Sequence, residues 1–151
     1  MKYFEYLDEL PKIPEDLATI VLTMDAENRS WFKDPNYRFY RCPPLVKEWL
    51  FDNIKMNIVK VGVQEMVGDI LPHIDTGRDR AINYLLKTGG GILSHYTSMC
   101  KYTGKFIPLH KVSEVSRVDV EPFRWHTLDT SKLHGVSNIK STRLAVTINV
   151  A

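Results

Sequence analysis

Two periodicities divide the chain. Apolar residues recur at helical spacing at Leu17, Ile20, Val21 and Met24, after Pro14-Glu15-Asp16, a set suited to a helix start. This predicts a helix over 14–24. A second begins at Pro43-Pro44 and carries Val46, Trp49, Leu50 and Ile54 on one face. From residue 56 the pattern shortens to strand-like runs, at 58–67, 69–75, 81–86, 92–96, 105–112 and 117–125, with closing segments at 128–138 and 142–150. The last run alternates strictly. Leu144, Val146, Ile148 and Val150 take one face; Arg143, Ala145, Thr147 and Asn149 take the other. Eight short strands with no helix between them predict a mainly β (α+β) fold, an antiparallel barrel or jelly roll, with the two helices covering the outer face of a sheet.

Between the helices lies a polar, aromatic stretch at 28–41, holding Trp31, Phe32, Tyr37, Phe39 and Tyr40. Core packing is the expectation there, and a substrate mouth the alternative. Gly89-Gly90-Gly91 lacks the lysine and following helix of a phosphate loop and reads as a hairpin turn.

Composition changes this picture little. A chain of 151 residues, 44% hydrophobic and 25% charged, predicts one globular domain over 1–151, with helical support at 1–55 and a β core at 56–151. A net charge of +2, with Lys and Arg dispersed, argues against a nucleic-acid partner. No apolar run reaches the roughly 18 residues of a membrane span. Met1-Lys2-Tyr3-Phe4-Glu5 is not a signal peptide, and Cys42 and Cys100 form no metal or redox motif. The expectation is a cytoplasmic protein with two reduced thiols and no membrane partner.

Candidate chemistry begins at His73-Ile74-Asp75. In an extended strand, residues i and i+2 project from the same face, and Pro72 and Gly77 disfavour a helix, so imidazole and carboxylate can aim at one point. His134 is the candidate third ligand, with His95, His110 and His126 as rivals. Two His and one carboxylate form a facial triad suited to non-haem Fe(II). Arg143, set among small residues on its face, is a candidate receptor for a carboxylate.

His73-x-Asp75, His134 about sixty residues on and Arg143 nine further resemble the 2-oxoglutarate/Fe(II)-dependent oxygenase family. The wording HIDTGRDRAINYLL and LDTSKLHGVSNIKSTRLAVTINV is most similar to its aspartyl/asparaginyl β-hydroxylase-like branch, and next to its prolyl-hydroxylase-like branch. The resemblance covers about residues 60–150. It implies a double-stranded β-helix, Fe(II) held by His73, Asp75 and His134, 2-oxoglutarate as cosubstrate with its distal carboxylate on Arg143, and molecular oxygen as oxidant. The product would be a hydroxylated amino-acid side chain, peptide-borne or free, with succinate and carbon dioxide. Arg80 and Asn83 would reach cosubstrate or substrate, although that branch often has His where Asn83 stands, and Asp129 and Ser131 would orient the ligands. Two other classes remain open: a metal-dependent cupin-type enzyme that does not use 2-oxoglutarate, and a non-catalytic β-helix binding module.

Overall fold

A computed structural model describes residues 2–24 and 35–151. In chain order the elements are β1 (Phe4–Tyr6), α1 (Glu15–Thr23), β2 (Tyr37–Tyr40), α2 (Pro44–Asn53), β3 (Ile58–Met66), β4 (Ile70–His73) and β5 (Arg80–Lys87). Then come β6 (Ile92–Ser98), a 3₁₀ turn (Leu109–Lys111), β7 (Val112–Val118), β8 (Trp125–Asp129), β9 (His134–Ser137) and β10 (Arg143–Val150). The strands form two antiparallel sheets, of order β1-β8-β5-β10-β3-β2 and β4-β9-β6-β7. Two facing sheets crossed repeatedly by the chain make a double-stranded β-helix, the fold expected.

The alternation of β10 decides where everything else sits. Leu144, Val146 and Ile148 point outward and join Val63, Ile82, Tyr84 and Trp125 in a core sealed by Ala18 and Val21 of α1 and Val46 and Leu50 of α2. The helices therefore cover the larger sheet, and each does so with the stripe its sequence spacing marked. Ala145 points inward, where Ala81, Leu85 and Leu128 of the larger sheet meet Leu93 and Val136 of the smaller. Side chains on that inner face surround whatever lies between the sheets.

Several elements differ from expectation, each for a local reason. The strand expected over 105–112 is mostly loop, ending in the 3₁₀ turn after Pro108, and β7 starts only at Val112. The strand expected over 117–125 is split. Pro122 cannot donate to a ladder and Phe123 sits at φ 60, so the chain turns between β7 and β8. Tyr37–Tyr40, read as loop, pairs with β3 as an edge strand, while Trp31 and Phe32 lie outside the described residues. β1, three residues long, is too short to show a period. The glycine turn at 89–91 joins no hairpin: it carries the chain from β5 in the larger sheet to β6 in the smaller.

Candidate metal centre and the cavity behind it

β4 and β9 are antiparallel neighbours, and their register sets His73 opposite His134, with ring centroids 4.4 Å apart. Each ring is oriented the same way. Nδ1 of His73 bonds the Leu71 carbonyl and Nδ1 of His134 the Lys132 carbonyl, both at 2.9 Å. A carbonyl only accepts, so in a neutral ring the proton sits on Nδ1 and the lone pair on Nε2. Both Nε2 atoms face one atom, Asp75 Oδ1, at 3.2 Å each. Three electron-rich atoms converging with no proton between them fit a cation, and His73, Asp75 and His134 form a group able to hold a metal ion.

Asp75 does not reach this point as a strand neighbour of His73. β4 ends at His73, and Asp75 lies in the loop beyond it. That loop is pinned to the β8–β9 turn by Thr130: Asp75 N donates to Thr130 O (3.1 Å), Thr130 N to Asp79 O (3.0 Å), and Thr130 Oγ1 to Arg78 O (3.0 Å). Arg78 then reaches back, its Nε donating to Asp75 Oδ2 at 2.8 Å. Burial pushes the Asp75 carboxyl up, but its side-chain contacts with His134 and His73 and the charge of Arg78 outweigh that and hold it well below the usual carboxylate range.

Behind this centre a cavity runs between the sheets, lined among others by Tyr37, Gln64, Asn83, His126, Arg143 and Phe106. Phe106, from the loop before the 3₁₀ turn, meets the His73 ring edge-on at 5.2 Å. Arg143 is 6% exposed and enters from the first residue of β10. Its Nη1 donates to Thr88 O (3.0 Å) and Gly91 O (3.1 Å), the two ends of the glycine turn. Gly91 leaves the room for this, since a Cβ there would lie 3.0 Å from Arg143 Nη1 and 2.9 Å from Val136 Cγ1. Burial pulls the guanidinium down to about 10, with the charge of Asp119 opposing, so it stays cationic at neutral pH. Among the described residues no carboxylate lies within ion-pair distance of it.

Asn83 and His126 stand opposite each other on β5 and β8, both lining the cavity. Asn83 Oδ1 and His126 Nδ1 are buried and have no hydrogen-bond partner. Burial, with the Arg143 charge adding to it, lowers His126 to about 4, so its ring is neutral at pH 7. His126, a rival for third ligand on sequence, is not in the metal-holding group. Its signal was its place in the closing region; that it lies near Arg143 follows from strand pairing.

The structure brings His73, Asp75 and His134 together and sets Arg143 and Asn83 in the same cavity. Arg80 is not there. It alternates with Ala81 and Asn83, which line the cavity, and so belongs to the other face of β5. Asp129 and Ser131 contact each other, Asp129 Oδ1 accepting from Ser131 N (2.9 Å) and Oγ (2.6 Å), and neither touches a ligand side chain. What Asp129 does supply is its backbone carbonyl, which bonds Nε2 of the buried His95 at 2.8 Å. Sequence reasoning passed over Arg78, whose only mark was an arginine three positions after Asp75 in a glycine turn.

A second groove opens on the other side of Asp75 and Arg78, lined by Tyr37, Phe39, Lys60, Gln64, Thr147 and Asn149. Tyr37 borders both spaces; burial raises its phenol well above the ordinary value. Among the described residues no helix is long and apolar enough to cross a membrane.

No protein-family model and no curated protein matches the sequence. Solved structures do match the fold. One is the non-haem alpha-ketoglutarate-dependent carbocyclase SnoK from nogalamycin biosynthesis, at 12% identity and TM-score 0.60, covering 97% of this chain and 79% of that one. Another is Escherichia coli YcfD, at 12% identity and TM-score 0.50, covering 99% of this chain and 50% of that one, so the chain spans half the length of YcfD. At such identity the likeness is one of architecture: this chain has the double-stranded β-helix fold on which those proteins are built.

Proposed function

We propose that the chain is a 2-oxoglutarate- and Fe(II)-dependent dioxygenase that hydroxylates a C–H bond. The observation that carries this reading is Arg143. A buried cation without a carboxylate partner is costly, and this one shares a cavity with three convergent metal-ligating groups. A dicarboxylate with one end on the metal and the other on Arg143 would satisfy both. The name of SnoK, an alpha-ketoglutarate-dependent enzyme, supports that choice of cosubstrate.

Fe(II) and 2-oxoglutarate, when bound, would supply oxidative chemistry driven by dioxygen, with succinate and carbon dioxide as co-products. The chain's own residues do the rest. His73 and His134 offer Nε2, because their Nδ1 protons are spent on backbone carbonyls. Asp75 offers Oδ1 and stays ionised, so the triad neutralises one positive charge of a divalent ion. Arg143, its position set by the glycine turn, would hold the distal carboxylate. Asn83 and neutral His126 provide the unpaired polar atoms that a bound acid or substrate would complete. The apolar lining, including Leu85, Leu93, Leu128 and Val136, excludes water.

The groove beside Asp75 is the route for the substrate, since it is the neighbouring space that reaches a metal ligand. Its amide and hydroxyl groups suit an amino-acid side chain, free or in a peptide, or a small molecule of similar polarity. The wording around His73 and His134 supports the aspartyl/asparaginyl β-hydroxylase-like branch. A cupin-type enzyme without 2-oxoglutarate and a bare binding module are the alternatives; a buried Arg143 in the same cavity as the three convergent groups favours a dicarboxylate cosubstrate over them.

The test is anaerobic. Adding Fe(II) and then 2-oxoglutarate is expected to produce a visible charge-transfer band, and Arg143→Ala to lose it while still binding Co(II). Removing one partner of a buried charge contact costs about 2–5 kcal/mol, hence at least about thirtyfold in cosubstrate affinity. A band of unchanged strength and affinity in Arg143→Ala would remove 2-oxoglutarate from the proposal.

A further inference from the structure

Arg78 is the one arginine of the HIDTGRDR stretch that touches the metal centre, and its contacts point two ways. Nε donates to Asp75 Oδ2 at 2.8 Å, while Nη1 donates to Asn149 Oδ1 at 3.0 Å and approaches Thr147 Oγ1 at 3.5 Å. Asn149 and Thr147 belong to the inner face of β10 and line the second groove. A rigid guanidinium thus ties the outer oxygen of the carboxylate to a strand of the opposite sheet.

A simpler role would be to staple the loop. The loop does not need it: residues 75–79 are already fastened by three hydrogen bonds to Thr130. What Arg78 adds acts on the carboxylate itself. Asp75 Oδ1 faces both imidazoles, and Oδ2 is taken by Arg78. The carboxylate cannot turn both oxygens toward the point between the histidines while that bond stands.

We propose that Arg78 is a positioning residue which limits Asp75 to one ligating oxygen and so keeps a coordination position open, with its own aim set by Asn149 and Thr147 in the groove wall. The inference rests on reading His73, Asp75 and His134 as a metal triad. Partners of ligating groups are worth about ten- to a hundredfold in metal affinity, because they fix the ligand's orientation before the ion arrives. Here the partner also controls denticity. A freed carboxylate would chelate through both oxygens, raise the coordination number and occupy a site that a cosubstrate or dioxygen needs.

Co(II) is the probe, since its visible absorption reports coordination number in the absence of turnover. Wild-type protein, Arg78→Ala, Arg78→Lys and Asn149→Ala would each be titrated with Co(II), with folding of the metal-free forms followed by circular dichroism. Arg78→Ala is expected to bind Co(II) about tenfold to a hundredfold more weakly, with visible bands weakened and shifted as coordination number rises. Arg78→Lys keeps the charge but not the fork and should recover part of the affinity. Asn149→Ala, which leaves Arg78 in place but removes its anchor, should move the spectrum in the same direction by less. It also provides the measurement if Arg78→Ala fails to fold. Wild-type binding with unchanged spectra and affinities in the folded variants would overturn the role of Arg78 alone. No Co(II) binding by the wild type would overturn the triad, and this inference with it.

Discussion

The two ends of the cavity are built differently. At the candidate metal end, His73 and Asp75 are close in sequence and partly exposed; His73 is held by the pairing of β4 with β9, and Asp75 by a loop that three hydrogen bonds fix to Thr130. At the deep end, Arg143, Asn83 and His126 come from three strands, lie within the larger sheet, and include two polar atoms with no partner. On the proposed function, a cation would complete the first end and an anion or amide-like ligand the second. The two can share one cavity because Arg143 sits on the larger sheet while His73 and His134 sit on the smaller and Asp75 in the loop beyond it.

The largest effect is expected at Asp75. Asp75→Ala leaves two imidazoles beside the Arg78 cation, and Co(II) affinity is expected to fall by about a thousandfold or more, since a ligand is lost and a like charge exposed. The deep end should be untouched, as shown by retained cooperative unfolding and an unchanged acid response. A variant that bound Co(II) as wild type does would show that the triad is not the metal site.

His126 tests the deep end through pH. Its folded-state value of about 4 lies below the 6.5 of an ordinary imidazole, so between these values the unfolded chain takes up a proton that the folded one refuses. Stability from this group is complete above about pH 6.5 and is lost as pH falls towards 4. The full loss is about 3 kcal/mol at 1.36 kcal/mol per pKa unit. Urea unfolding at pH 7 and pH 4.5 should show a steep difference in the wild type and a shallower one in His126→Gln. Equal slopes would place His126 in contact with solvent.

A smaller effect should come from the glycine turn. Gly91→Ala puts a methyl group against Arg143 Nη1 and Val136, displacing the guanidinium by a few tenths of an ångström. About tenfold weaker 2-oxoglutarate binding is expected, in line with the large cost of small misplacements, with Co(II) affinity unchanged. Calorimetric titration of each ligand separates the two, and a loss of Co(II) affinity instead would mean that the ends are mechanically coupled.

Much of this molecule is legible in its residue pattern. Alternation in β10 is a local property of an extended chain, so the split between the outward Leu144, Val146 and Ile148 and the inward Arg143, Ala145 and Thr147 can be read directly. The helical stripes of α1 and α2 are legible for the same reason. Boundaries fail where one residue overrides the pattern, as at Pro122 and Phe123. Arg80 and Arg78 are indistinguishable as letters, because which one reaches Asp75 depends on where the loop ends and β5 begins: Arg78 stays in the loop beside Asp75, and Arg80 is the first residue of the strand.

Residue types, strand faces and the spacing that make a metal triad and an anion receptor conceivable are all written in the sequence, since these follow from short-range geometry. Tertiary structure was needed to pair β4 with β9 so that His73 stands opposite His134, to let Thr130 bring Asp75 round beyond the end of its strand, and to have Arg78 fasten it. It also turned a run of glycines into the bracket for Arg143. Those outcomes depend on strand pairing and loop anchoring across long stretches of chain, and no local pattern encodes which partner a backbone group will find.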